Sequence, residues 1–285
     1  MTMNPFVSTQ WLSENLLRDD VAVVDASWYL PTMQRDGKAE YAQAHIPKAV
    51  HFDIDTVKDQ ANPLPHMLPS PAEFARAAGA MGISEDMTIV VYDGAGLFAA
   101  PRVRWTFLAM GAADVRILEG GLPKWRAEGR PTLQGTPAPE PRTFSARLDA
   151  AAVASLDDVR RALDAGSAQV VDARPAARFA GDAPEPRPGL ASGHMPGSLN
   201  LPFDRLVRDG RMAEPDLVRA AFAEAGVDLE RPIVTSCGSG VSAAIVSLAI
   251  ETVGAKAQAL YDGSWAEYGG RADLPVASRS DSAPR

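Results

Sequence analysis

Short, almost wholly apolar runs recur along the chain at 21–25, 89–92, 168–172 and 232–235. They alternate with longer stretches whose apolar positions return at helical spacing, at 71–81 and 99–110 and again at 156–165 and 214–225. Runs too short and too β-branched for helices, separated by helical segments, predict βαβ units: an α/β fold whose parallel sheets carry helices on both faces. The clearest unit lies late in the chain. Ile233-Val234-Thr235-Ser236 predicts a buried strand, Cys237 to Ser242 a tight glycine-containing loop, and Ala243 to Ile250 a buried helix.

The pattern occurs twice. Val23-Val24-Asp25-Ala26 returns as Val170-Val171-Asp172-Ala173, and His45-Ile46-Pro47 as His194-Met195-Pro196. Met81-Gly82-Ile83 returns as Ala225-Gly226-Val227, Ile89-Val90 through Gly96 as Ile233-Val234 through Gly240, and Leu118-Glu119-Gly120 as Tyr261-Asp262-Gly263. Five markers in one order at a nearly constant offset indicate a duplicated domain. Four prolines between Arg130 and Arg142 favour a stiff extended connection, so the expected division is a first domain over 1–135, a linker over 136–147 and a second domain over 148–285. The small, polar segment from Ser278 to Arg285 is expected to fray.

Composition narrows the function. The chain has 285 residues, enough for about two domains, and is 46% hydrophobic and 22% charged, as ordinary globular proteins are. A net charge of −8 without a basic stripe argues against nucleic-acid binding. No apolar run approaches membrane-spanning length, and Met1 to Pro5 leads into no secretory signal. A single cysteine cannot form an internal disulfide and fits a reducing compartment, so a cytoplasmic location is expected. No His/Cys/Asp spacing matches a zinc site, and Gly94-Ala95-Gly96 lacks the rest of any nucleotide motif, so neither metal nor cofactor is expected.

Cys237 is the centre of interest. A lone cysteine is commonly an inert core residue. Here it is placed at the carboxyl end of a strand and just before a helix, where unpaired N–H groups and the helix dipole stabilise an anion. Ordinary cysteine titrates near ~8.5, and such settings lower that value and make the sulfur nucleophilic. The first copy has Asp93 at the corresponding position and cannot do thiol chemistry there. Three arginines, Arg174, Arg178 and Arg187, fall within a proline-stiffened insertion of the second copy, a setting suited to a carboxylate clamp. Arg174, directly after the Asp172 strand, is expected to make a structural ion pair. His45 and His194, in equivalent turns, are expected to be structural.

Cys237-Gly238-Ser239-Gly240-Val241-Ser242-Ala243 resembles the active-site loop of the rhodanese-like sulfurtransferases, in the CGSGVTA form of the 3-mercaptopyruvate sulfurtransferases. Thiosulfate-preferring relatives carry basic residues after the cysteine, and cysteine phosphatases of related fold need an arginine where this chain has Ala243. Phe52-Asp53-Ile54-Asp55 to His66-Met67-Leu68-Pro69, Glu185-Pro186-Arg187-Pro188-Gly189 and Tyr261-Asp262-Gly263-Ser264-Trp265 extend the resemblance along nearly the whole chain. The resemblance implies two tandem rhodanese-like domains. It also implies Cys237 as the sulfur carrier; Gly238, Gly240, Val241 and Ser242 as the cradle of the persulfide; and Arg178 and Arg187 as the keto-acid clamp. Ser239, His66 and Asp55 would form a proton relay, with the 52–69 segment reaching the other domain's site. The implied donor is 3-mercaptopyruvate and the implied acceptor cyanide or a thiol, either a thioredoxin-like protein or a small molecule. Two rivals stand beside it: a thiosulfate:cyanide sulfurtransferase and a non-catalytic persulfide carrier or binding module.

Overall fold

The fold is described from a computed structural model, over residues 4–255, 257 and 259–278. The tail expected to fray lies, after Ser278, outside the described residues. The chain divides into two compact units: Met1–Ala61 with Leu68–Asp149 and Asp209–Met212, and Asn62–Met67 with Ala150–Arg208 and Ala213–Arg285.

Each unit holds a five-stranded parallel sheet of identical strand order. In the first the strands are Phe6–Val7, Val21–Asp25, Ala49–His51, Thr88–Tyr92 and Asp114–Leu118, arranged first, fifth, fourth, second, third. In the second they are Val153–Ala154, Gln169–Asp172, Leu199–Asn200, Ile233–Ser236 and Ala259–Tyr261, in the same arrangement. The fourth strand is therefore central in both. It pairs with the second on one side and the fifth on the other.

Local signals recur with the strands. Ser8 caps the helix Thr9–Asn15 through Trp11 N, and Ser155 caps Leu156–Ala165 in a reciprocal box with Asp158. Pro71 and Pro215 each occupy the first turn of their helices, Pro71–Ala80 and Pro215–Glu224, where no backbone N–H is needed. One set of strand residues in the first sheet packs into a core with flanking helices. Val21, Val23, Val90 and Tyr92 pack with Leu12, Tyr41 and Trp125. A separate aromatic cluster joins Phe52, Phe74, Phe107 and Phe144, with ring centroids 5.2–6.3 Å apart. In the second unit Val170, Val234 and Tyr261 pack with Val159, Met195 and Trp265. Thr235, pointing the other way, bonds Ser247 of the helix Val241–Thr252 at 2.8 Å.

The proline-rich stretch differs from the expected linker over 136–147. It is irregular, but it is fastened to the first unit: Arg142 N donates to Gly79 O, Arg147 N to Met110 O and Asp149 N to Ala109 O, while Phe144 is buried in the aromatic cluster. The division accordingly falls at Asp149 and Ala150, not at the ends of the proline run. Prolines stiffen a chain without keeping its other residues off a surface, and the buried Phe144 and these backbone bonds fasten it there.

Candidate active site

Because parallel sheets bind ligands at the carboxyl ends of their strands, the loop after central strand Ile233–Ser236 is the place where chemistry is expected. Cys237 is buried there, 1% exposed. Gly240 adopts φ 78°, a left-handed conformation that favours glycine, and turns the chain directly into the helix Val241–Thr252. That helix starts two residues before the sequence reading placed it. The first N–H groups of a helix have no carbonyl partner within it, so Val241 and Ser242 bring such donors to the loop. Cys237 N donates to Ser264 Oγ at 3.2 Å. Two further bonds fix the loop from the same side: Trp265 N to Cys237 O and Ala266 N to Gly238 O, each 2.9 Å.

The arginines reach this loop from the other flanking strand. Arg174 forks onto Asp172, with Nε 2.9 Å and Nη2 2.7 Å from Oδ2, and lies over Trp265, 4.2 Å from the ring centroid. The structural ion pair expected of it is present and fully buried. Burial works against the Arg174 charge, but Asp172 and Glu185 more than offset it and hold the guanidinium above its ordinary range. Glu185 accepts from Arg174 Nη1 at 2.7 Å and from Arg178 through Nε, 3.1 Å, and Nη2. A β-carbon added to Gly238 would lie 3.2 Å from Nη2 of Arg178 and 4.0 Å from Nη1 of Arg187. Both arginines therefore converge beside the residue that follows Cys237.

His66 belongs to the same unit. It is 3% exposed and has φ 61°, rare for a residue with a side chain, and its Nδ1 lies 3.2 Å from Ser239 Oγ and 3.3 Å from Ser239 O. Asp55 lies in the first unit, where its Oδ2 accepts from Trp28 Nε1 at 2.7 Å. His45 and His194 hold equivalent turns, each ring nitrogen Nδ1 meeting a carbonyl: Tyr41 O at 2.9 Å and Phe179 O at 2.8 Å. Among the described residues no group of three His, Cys, Asp or Glu side chains could hold a metal, and no helix is long and apolar enough to cross a membrane.

The rhodanese-like domain model matches residues 8–128 and 155–270, one match to each copy. The chain is 43% identical over 277 residues to the 3-mercaptopyruvate sulfurtransferase of Escherichia coli strain K12, covering 97% of this chain and 99% of that protein. The chain belongs to the 3-mercaptopyruvate sulfurtransferase family. It is also 42% identical over 269 residues to the Homo sapiens member, covering 92% of this chain and 91% of that one. The crystal structure of SseA from Escherichia coli, described as having the rhodanese fold of the 3-mercaptopyruvate sulfotransferases, matches with a TM-score of 0.85 at 40% identity, over 92% of this chain and 99% of that one.

Within this sulfurtransferase, the cysteine-less first copy has a different loop. Asp93 stands where the second copy has Cys237, and its buried carboxylate accepts from four backbone N–H groups: Ala95 N at 2.9 Å, Phe98 N at 2.7 Å, and Ala99 N and Ala100 N at 2.8 Å. Tyr29 fills the space above the adjoining Gly94, where an added β-carbon would lie 2.3 Å from its hydroxyl. The cysteine, its loop and the arginines stand out in the sequence, while Ser264 and Glu185 do not. Ser264 lies in the Tyr261-Asp262-Gly263-Ser264-Trp265 motif, but its φ of 50° has no signature in the sequence. Glu185 did leave a signal: an acid amid three arginines in a stiff loop.

Proposed function

We propose that this protein is a 3-mercaptopyruvate sulfurtransferase that carries sulfur on Cys237. The observation that carries the reading is the convergence of Arg178 and Arg187 on Gly238, next to the only cysteine in the chain. Guanidinium groups suit the carboxylate and carbonyl of an α-keto acid. The Cys237 thiolate attacks the substrate's sulfur. An S–S bond forms, the C–S bond breaks with its electron pair passing to carbon, and the enolate of pyruvate leaves to be protonated. The loop N–H groups of Gly238, Gly240, Val241 and Ser242 face the persulfide. A thiol acceptor, thioredoxin-like or small, or cyanide then attacks the outer sulfur and returns Cys237 as thiolate. Ser239 and His66 supply the proton path to the enolate, a reading supported by the 3.2 Å approach of Ser239 Oγ to His66 Nδ1. A single free thiol fits a cytoplasmic site of action.

Thiosulfate as the preferred donor is disfavoured by the same geometry. A basic side chain at 238 would begin with a β-carbon 3.2 Å from a guanidinium nitrogen of Arg178. A pure persulfide carrier would not need two arginines at the cysteine.

The deciding experiment compares pyruvate release from mercaptopyruvate with thiocyanate formation from thiosulfate on one preparation. Mercaptopyruvate is expected to be the faster donor, and the reverse order would replace this reading with the thiosulfate one. Intact mass after mercaptopyruvate treatment should rise by one sulfur atom, removable by a thiol reductant, in the wild type and not in Cys237→Ser. Arg178→Ala and Arg187→Ala should each lose roughly tenfold or more in kcat/KM, the ordinary loss when a charge-assisted hydrogen bond disappears. Arg→Lys should rescue poorly, because a point charge does not replace the fork.

A further inference from the structure

Glu185 is the least expected residue near the cysteine. An enzyme that attracts an anionic substrate gains nothing in Coulomb energy by placing a carboxylate against its binding arginine, yet the Glu185 side chain is 2% exposed and bonded to both Arg174 and Arg178. Its surroundings indicate a different purpose. Asp172 ends the strand that pairs with the cysteine strand, in register with Ser236. From there an unbroken chain of ion pairs runs Asp172, Arg174, Glu185, Arg178, and returns to Gly238 at the end of the neighbouring strand. Its first three side chains are buried; Arg178 is 18% exposed. Arg174 is pinned further by Gly193 O, 2.8 Å from Nη2, and by the face of Trp265. Through Arg174, Glu185 is thus held in fixed relation to the sheet.

We infer that Glu185 is a positioning residue that sets the direction in which Arg178 meets the substrate carboxylate. By occupying Nε and one N–H of Nη2, it leaves the Nη1–Nη2 end of the guanidinium to face Gly238. A flexible arginine would have to be ordered on each binding event; one already gripped is not. The inference rests on the keto-acid clamp proposed above.

Positioning and simple charge make opposite predictions. If Glu185 were only a neutralising charge, removing it would strengthen mercaptopyruvate binding. If it positions Arg178, Glu185→Gln will weaken binding, because an amide NH2 would face arginine N–H donors. Glu185→Asp, which keeps the charge but shortens the reach, will weaken it as well.

The test uses the full chain. KM for mercaptopyruvate and kcat/KM are measured for wild type, Glu185→Gln, Glu185→Asp and Arg178→Ala, along with the single-turnover discharge of preloaded persulfide to cyanide. The expected result is a rise in KM with roughly tenfold loss in kcat/KM for both Glu185 variants, while discharge to cyanide, which involves no donor carboxylate, stays at the wild-type rate. Glu185 variants with wild-type or better kcat/KM, beside an impaired Arg178→Ala, would overturn the positioning role and leave the clamp standing. Equal losses in both half-reactions would also overturn it, as a sign of general structural damage. An Arg178→Ala enzyme as active as wild type would remove the clamp itself and the inference with it. Should Glu185→Gln not fold, Glu185→Asp is judged by the same outcomes.

Discussion

At Gly238 a hydrogen atom fits and a methyl group does not sit easily. The added carbon of Gly238→Ala would press on Arg178 Nη2 at 3.2 Å, closer than ordinary contact, so a moderate fall in kcat/KM for mercaptopyruvate is expected with little change in stability. Steady-state kinetics beside a thermal melt separates the two. A second residue-scale contrast lies in the repeat. Asp172 has the buried guanidinium of Arg174; its counterpart Asp25 has Ser27 two residues on, and Asp25 Oδ2 has no hydrogen-bond partner among the described residues. Burial raises the Asp25 carboxyl above its usual range, only partly opposed by Ser27, Tyr92 and His51. A carboxyl raised in the folded state takes on a stability cost as pH climbs from its unfolded value, near ~4, through its folded one. Asp25→Asn should therefore raise the melting temperature more at pH 8 than at pH 4, and an equal gain at both would contradict a carboxyl raised by burial.

Among the elements, the central strand of the second sheet matters most, because both its neighbours send side chains to its end. The fifth strand leads into the short helix Ser264–Tyr268, whose Ser264 Oγ accepts from Cys237 N and donates to Tyr261 O at 2.8 Å. Ser264→Ala leaves Cys237 N and Tyr261 O without that hydroxyl, and a loss of about 1–3 kcal/mol in denaturant unfolding is expected. Slower sulfur loading in single turnover should accompany it. Much of this element was legible: the apolar run before Cys237 and the glycines after it specify strand, turn and helix locally. What was not legible is non-local. Nothing around Ser264 announces a left-handed serine reaching back to residue 237, and the burial of Phe144 that fastens the proline run depends on aromatic residues far away in the chain.

For the whole molecule, duplication was legible because two similar sheets demand two similar patterns of apolar runs. Discontinuity was not legible in the repeats, which assign Asn62–Met67 to the first unit although the second includes them; only the family resemblance sends the 52–69 segment to the second domain. A fragment of 150–285 lacks His66. If it folds, as judged by circular dichroism, sulfur loading of Cys237 and the pyruvate release that accompanies it should both be some 10²–10⁴ times slower, the usual worth of general acid help. His66→Ala in the full chain should show the same defect, and wild-type release in both would remove His66 from the proton path.

The Asp93 carboxylate, held by four amides, bears on any attempt to make the duplicate work. The first loop is ballasted by its own anion, so its shape does not await a substrate. Its helix, Ala100–Ala109, also begins seven residues after Asp93, whereas Val241 follows Cys237 by four. Asp93→Cys would remove the ballast and place a sulfur in a loop of the wrong length. A second sulfur carrier in this chain would have to be rebuilt as a whole turn, from a shortened loop outward.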